Sequence, residues 1–264
     1  MKKLGRFLYL HGRTIYYILA VVVGVVCGLL IANDRLSIGG AALAVILTAL
    51  VPFFVMNLIA ISSYSKPLVD ALDVERDPYP LLEESEYLLT KTKKGLPYLT
   101  NIINYSAGLI ETGQFEKALA VLQAVDFSKV PKAPPQSMLA YYINLCSACN
   151  EMGQKDQASA YYSKALASFA MIKNEAVKKQ MKSTITVHTI EEHLRNEDYK
   201  EADKVLASFI PSTGRQTIDA EMLRAKVHIG LGEPEKAKEH LTFVIENGNK
   251  LNVVTQAKEI LSSL

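Results

Sequence analysis

The sequence predicts an all-α protein: a two-helix transmembrane hairpin followed by an α-solenoid. Three observations carry this. Two long runs near the start contain no Lys, Arg, Asp or Glu. Downstream, a turn residue, an alanine and a large apolar residue recur in fixed order at spacings suited to stacked helix pairs. Finally, 49% apolar residues in a chain of 264 suit a membrane portion joined to a soluble one.

The formal net charge of +2 is an average over unlike parts. Residues 1–37 hold Lys2, Lys3, Arg6, Arg13 and Arg35 against Asp34, leaving 24 basic and 26 acidic residues in 38–264. The downstream portion is nearly neutral and shows no basic stripe, so no nucleic-acid partner is expected.

Residues 1–14 read as a basic cytoplasmic N-terminus and 15–61 as two spans, about 15–32 and 38–61. Each can cross a hydrocarbon core of about 30 Å at about 1.5 Å per helical residue. NDRLS between them enforces a tight antiparallel hairpin with both outer ends on one side. Lys2, Lys3, Arg6 and Arg13 crowd the first end, and Lys66 and Arg76 follow the second, which places both termini and the downstream domain in the cytoplasm of a multi-pass inner-membrane protein. A cleaved signal peptide competes for the first run, but no small-x-small site follows Ala32 and the second run would still anchor the chain. Gly24 and Gly28 form a small-xxx-small face, expected to pack within the hairpin rather than as a dimer motif. Pro52 and Asn57 are expected to mark a kink and a polar contact. With no ionisable group in either span, the pair reads as an anchor rather than a transport path.

Residues 62–96 read as a linker and an amphipathic helix, with Asp77 as cap, Pro78 in the first turn, early acids, late lysines and Gly95 as the stop. Residues 97–264 read as the helical repeat domain. Its aligned alanines, Ala118, Ala158, Ala202 and Ala237, lie 40, 44 and 35 residues apart. The turn residue before each must cap a helix, the alanine must be small where two helices cross, and Leu122, Tyr162, Leu206 and Leu241 fill the groove beside it. One pair cannot bury its own apolar faces, so several must stack. LNVVTQAKEILSSL (251–264) reads as a closing cap.

YYINLCSACNEMGQKDQASAYYSKALASF resembles the tetratricopeptide repeat family: Tyr142, Leu145 and Cys146 stand at its first-helix places, and Gly153, Ala158, Tyr162 and Ala165 at its second. The resemblance covers roughly residues 97–248. It departs at Glu197, where a turn glycine is usual, at Glu221, where an aromatic is usual, and in the long insertions SKVPKAPPQ and 174–195. It implies a concave groove, lined by the first helix of each pair, that binds peptides or proteins. Projected onto that face are Asn104, Asn144, Ser147, His188, Glu191 and Lys226. The places of the family's carboxylate clamp read Ile103, Ala107, Asn144, Thr184 and His188, of which only Asn144 fits, so such a clamp is not expected.

No catalytic residue, metal or cofactor is expected. His188 and His193 are five apart, about 140° around a helix, where a shared metal needs a spacing of four. Cys146 and Cys149 sit mid-helix, away from the helix start that activates a C-x-x-C thiol, and read as small packing residues. The expected function is a membrane-anchored scaffold or adaptor that holds a polypeptide partner in the groove. Two alternatives stand beside it: a self-assembling structural protein, with homo-oligomers formed in part through Gly24 and Gly28, and a sensor in which the same groove closes on a ligand or peptide signal.

Overall fold

The computed structural model describes every residue except Met1 and Asp34, and every side chain among these except those of Lys2 and Ala49. Asp34 of the hairpin turn and the side chain of Lys2, both part of the charge argument, lie outside the described residues. The described residues are predominantly helical, with no strand among them, and the chain divides into two compact units, Met1–Asp70 and Ala71–Leu264.

In the first unit, α1 (Lys2–Ala32) is one continuous helix, so the basic N-terminal segment is the first turns of the spanning helix itself. The second run begins at α2 (Ile38–Val45), where Ser37 Oγ accepts from the Gly40 N–H at 3.1 Å. It continues through a π-turn (Ile46–Leu50), α3 (Val51–Ala60), a second π-turn (Ile61–Ser65) and α4 (Lys66–Asp73). The first π-turn lies just before Pro52, whose ring and missing N–H cannot be housed in a regular α-turn. Asn57 Nδ2 donates to Phe53 O at 2.8 Å, so its polar contact is to its own helix. The helices over 3–32 and 38–73 are long and apolar enough to cross a membrane. Their apolar side chains, Val21, Val25, Leu29, Phe54 and Leu58 among them, are exposed, unlike those of a core helix in a soluble domain.

Gly24 and Gly28 do not pack within the hairpin: a methyl group at either would meet no atom within 4 Å. The close approach lies near the basic end, where Gly5 abuts Ser63 and Tyr64 and the rings of Tyr9 and Tyr64 stand 5.1 Å apart. Bulky pairs such as Tyr16 and Phe53, 4.9 Å between centroids, set the helix separation further along.

In the second unit α5 (Tyr79–Lys91) packs on α6 (Gly95–Glu111): Gly108 faces Leu82, and the Tyr105 hydroxyl donates to Glu86 Oε1 at 2.9 Å. The expected amphipathic helix is therefore part of the packed domain. Its stop is Lys91, with Thr92 Oγ1 donating to Leu88 O, and Gly95 instead opens α6 with φ of 74°, turning the chain ahead of Pro97.

Four helix pairs follow: α6 with α7 (Phe115–Gln123), α8 (Pro135–Glu151) with α9 (Lys155–Ala170), α10 (Glu175–Arg195) with α11 (Tyr199–Ala207), and α12 (Gly214–Gly230) with α13 (Pro234–Asn247). The turns of all four carry one left-handed residue, Gly113, Gly153, Glu197 and Gly232, at φ of 77°, 70°, 59° and 76°. At each, that residue's N–H bonds the carbonyl three back and the next N–H the carbonyl five back: Gly153 to Asn150 (3.0 Å) with Gln154 to Cys149 (2.9 Å), and Glu197 to Leu194 (3.1 Å) with Asp198 to His193 (2.8 Å). This paired bond satisfies the last carbonyls of the first helix. Glu197 thus occupies a glycine's place in a turn built like the other three. Ala118, Ala158, Ala202 and Ala237 are all fully buried at the crossings, as are Cys146 and Cys149, which are free thiols.

The last helix, α14 (Val253–Ser263), packs on α13 and also returns to the first pairs. The Asn252 N–H donates to Glu111 O at 2.8 Å, and Gln256 Nε2 donates to Glu151 Oε2. The expected end cap therefore also bridges the start of the array to its end.

Candidate functional site

A cavity of about 400 Å³ lies among α6, α8, α10, α12 and α14. The first helix of each of the four pairs contributes to its wall. Five of the six residues projected onto the concave face line it: Asn144, Ser147, His188, Glu191 and Lys226. Asn104 does not. It stands one turn before Ala107 on α6, and the cavity begins at Ala107.

Asn144 is a strut between helices. Its amide Nδ2 donates to Ile103 O and Ser106 Oγ, both at 2.9 Å, so only its oxygen is left to face a ligand. His188 is buried, with its side chain 8% exposed, and its Nδ1 stands 2.6 Å from Glu191 Oε2 one turn on. The approach lies off the hydrogen-bond direction, and neither atom has a hydrogen-bond partner. Burial works against the imidazolium, but the Glu191 carboxylate and the neighbouring Cys146 outweigh it and lift the His188 pKa to about 10. Burial likewise pushes Glu191 up, and His188 with Lys226 and Arg195 hold it below the usual carboxylate range. The pair is thus ionised at neutral pH. His193, by contrast, is turned to Asp198 at 3.4 Å in the following turn, away from His188.

The charge cluster at the other end was hidden in the sequence. Arg215 Nη1 contacts Glu111 Oε1 at 2.9 Å and Asp219 Oδ2 at 3.1 Å, and its Nε contacts Asp73 Oδ1 at 3.4 Å. One guanidinium thereby faces three carboxylates from α6, α12 and the end of α4. Burial pushes the Glu111 carboxyl up; Arg215 pulls it down, but Asp219 and Asp73 push it up again, and the balance is about 7. Asp219 is also raised, first by burial and then, against the pull of Arg215, by the charge of Glu191. Arg215 itself is held firmly protonated: burial opposes the charge and the three carboxylates outweigh it. Lys226 lines the cavity with no hydrogen bond or ion pair to a described residue. Only the spacing of Arg215 and Asp219, four apart on α12, could have marked this cluster in the sequence; Glu111 lies 104 residues away from Arg215.

The rest of the wall is apolar, from residues such as Leu139, Ile143, Met181, Val187 and Met222. Such a lining with a few convergent polar groups suits a small ligand. Among the described residues no group of three or more His, Cys, Asp or Glu stands together as metal ligands would. The chain matches no family model, no curated protein and no solved structure.

Proposed function

We propose that this chain is a membrane-anchored binding module. A tetratricopeptide-like helical array, held at the cytoplasmic face of a membrane by the N-terminal hairpin, curls on itself and binds a compact ligand in its centre. The four equivalent turns and the buried crossing alanines support the repeat reading. The two long apolar helices with exposed side chains support the anchor, and the basic residues at their outer ends support the orientation.

The observation that carries the function is the cavity itself, with buried, ionised groups on its wall and α14 tied back to the first two pairs across it. An open polypeptide groove would need that concave face free along its length. The tie of α14 back to the first two pairs favours the sensor alternative over the scaffold, with binding rather than catalysis as the task. Cys146, which neighbours His188, is fully buried.

The test is to purify the full-length protein from cells in mild detergent and examine it by native mass spectrometry. A small molecule bound one to one, and absent from the cavity-filling variant Ala140→Trp, is the expected result. A bare protein from cells, combined with no stabilisation of the wild type beyond that of Ala140→Trp across a metabolite library, would count against it.

A further inference from the structure

We infer that the ligand of this cavity is an organic cation, a protonated amine carried on an apolar body. This rests on the cavity's being a ligand site, as proposed above. The wall carries the carboxylates of Glu111, Glu151, Glu191 and Asp219 against Arg215, Lys226 and His188, and Asp73 adds another carboxylate at Arg215. His188 and Glu191 offset one another. At the other end three carboxylates share the one guanidinium, within 2.9 to 3.4 Å of it. Asp219 also feels the like charge of Glu191, against the pull of Arg215 and His188.

Two features suit this surplus to a cationic partner. Glu111 meets it by keeping a proton to about pH 7, which a cation entering the cavity would replace. Glu191 Oε2 is buried at the wall with His188 Nδ1 2.6 Å away but off the hydrogen-bond direction, so its lone pairs can still accept from a donor. An ammonium donates in several directions and can serve both Glu191 and the Arg215 cluster. The apolar wall of Leu139, Ile143, Met181, Val187, Met222 and Leu223 then takes the body. A volume of about 400 Å³ limits the ligand to small molecules.

The test is titration calorimetry on the full-length protein in an uncharged detergent, with benzylamine, benzyl alcohol and benzoate as probes of one shape and three charges. Benzylamine is expected to bind at least about tenfold more tightly than benzyl alcohol, the size of one charge-assisted hydrogen bond, and benzoate not to bind. Comparing two buffers of different protonation heat at pH 7 should show about half a proton released on binding, the share Glu111 still holds there. The charged groups facing Glu111 are Arg215 and Asp219 from α12 and Asp73 from α4, while α14 brings the uncharged Asn252. Glu111→Gln should remove the proton release and weaken benzylamine about tenfold. Asp219→Asn, expected to weaken it likewise, serves if that variant does not fold. Benzoate bound in preference, and lost in Lys226→Met, would overturn the amine assignment and leave the cavity a ligand site of opposite charge. Equal binding of amine and alcohol, or none by any probe, would overturn the amine assignment, while the copurification experiment decides separately whether the cavity is used at all.

Discussion

Glu197 shows how far one residue can depart from its repeat without changing the turn. It holds φ of 59° with its side chain exposed, where three glycines hold the same conformation in the other turns. The left-handed region costs a non-glycine residue about 1 kcal/mol. Glu197→Gly should therefore raise stability by about 1 kcal/mol in denaturant unfolding. Gly153→Ala should lower it by a similar amount, through backbone strain alone, since the added methyl meets no atom within 4 Å. Within the cavity two residues have opposite pH signatures. His188, raised to about 10, contributes stability that is whole below about pH 6.5 and is lost as pH rises through 10. Glu111, raised to about 7, binds a proton on folding between about pH 4.5 and 7, so its ionisation withdraws stability as pH rises across that window. Glu111→Gln should flatten the profile between pH 5 and 7, and His188→Gln the profile between 7 and 10. At pH 7 His188→Gln should also cost about 3 kcal/mol, because it leaves Glu191 a buried charge without its partner.

At the scale of elements, the informative contacts are those between pieces distant in sequence. A methyl group at Gly113 would run into the Asn252 amide, so Gly113→Ala should cost clearly more than Gly153→Ala and should loosen α14 from Glu111. Hydrogen exchange should show that loosening as faster exchange at the Asn252 N–H, with the core of α8 unchanged. A methyl group at Gly230 would enter the Tyr199 ring, which joins α11 to α12. Gly230→Ala is expected to destabilise by about 1–3 kcal/mol, the usual penalty for overpacking. In the hairpin the expectation runs the other way. Gly24→Leu meets nothing within 4 Å and should leave the helix pair intact. If the detergent-solubilised protein is an oligomer that this substitution dissociates, the self-assembly alternative gains the support it now lacks.

For the molecule as a whole, the proposed cytoplasmic orientation rests on the basic residues at the outer ends of the hairpin. A cysteine at Arg35 should react with an impermeant reagent added to intact cells, and one at Ser263, exposed at the end of α14, only after permeabilisation. Much of the architecture was legible before any coordinate. The apolar runs, the turn glycines and the small crossing residues are local signals, because span length, left-handed backbone and close helix approach each restrict which residue can stand at one place. The face of each first helix was legible too, since period fixes which residues point together; hence Asn144, Ser147, His188, Glu191 and Lys226 fall on one wall. What the periodicity could not carry was which distant elements meet. Only the packing of all the pairs brings Asn252 to Glu111 and Arg215 within reach of Asp73, Glu111 and Asp219. Gly24 and Gly28 fail for the related reason that a motif for close approach does not say which surface approaches. The sequence by itself determined the helices and their turns; tertiary structure decided that their inward sides line one cavity with the Arg215 cluster in its wall, because contacts between elements far apart in the chain belong to the packing and to no single helix pair.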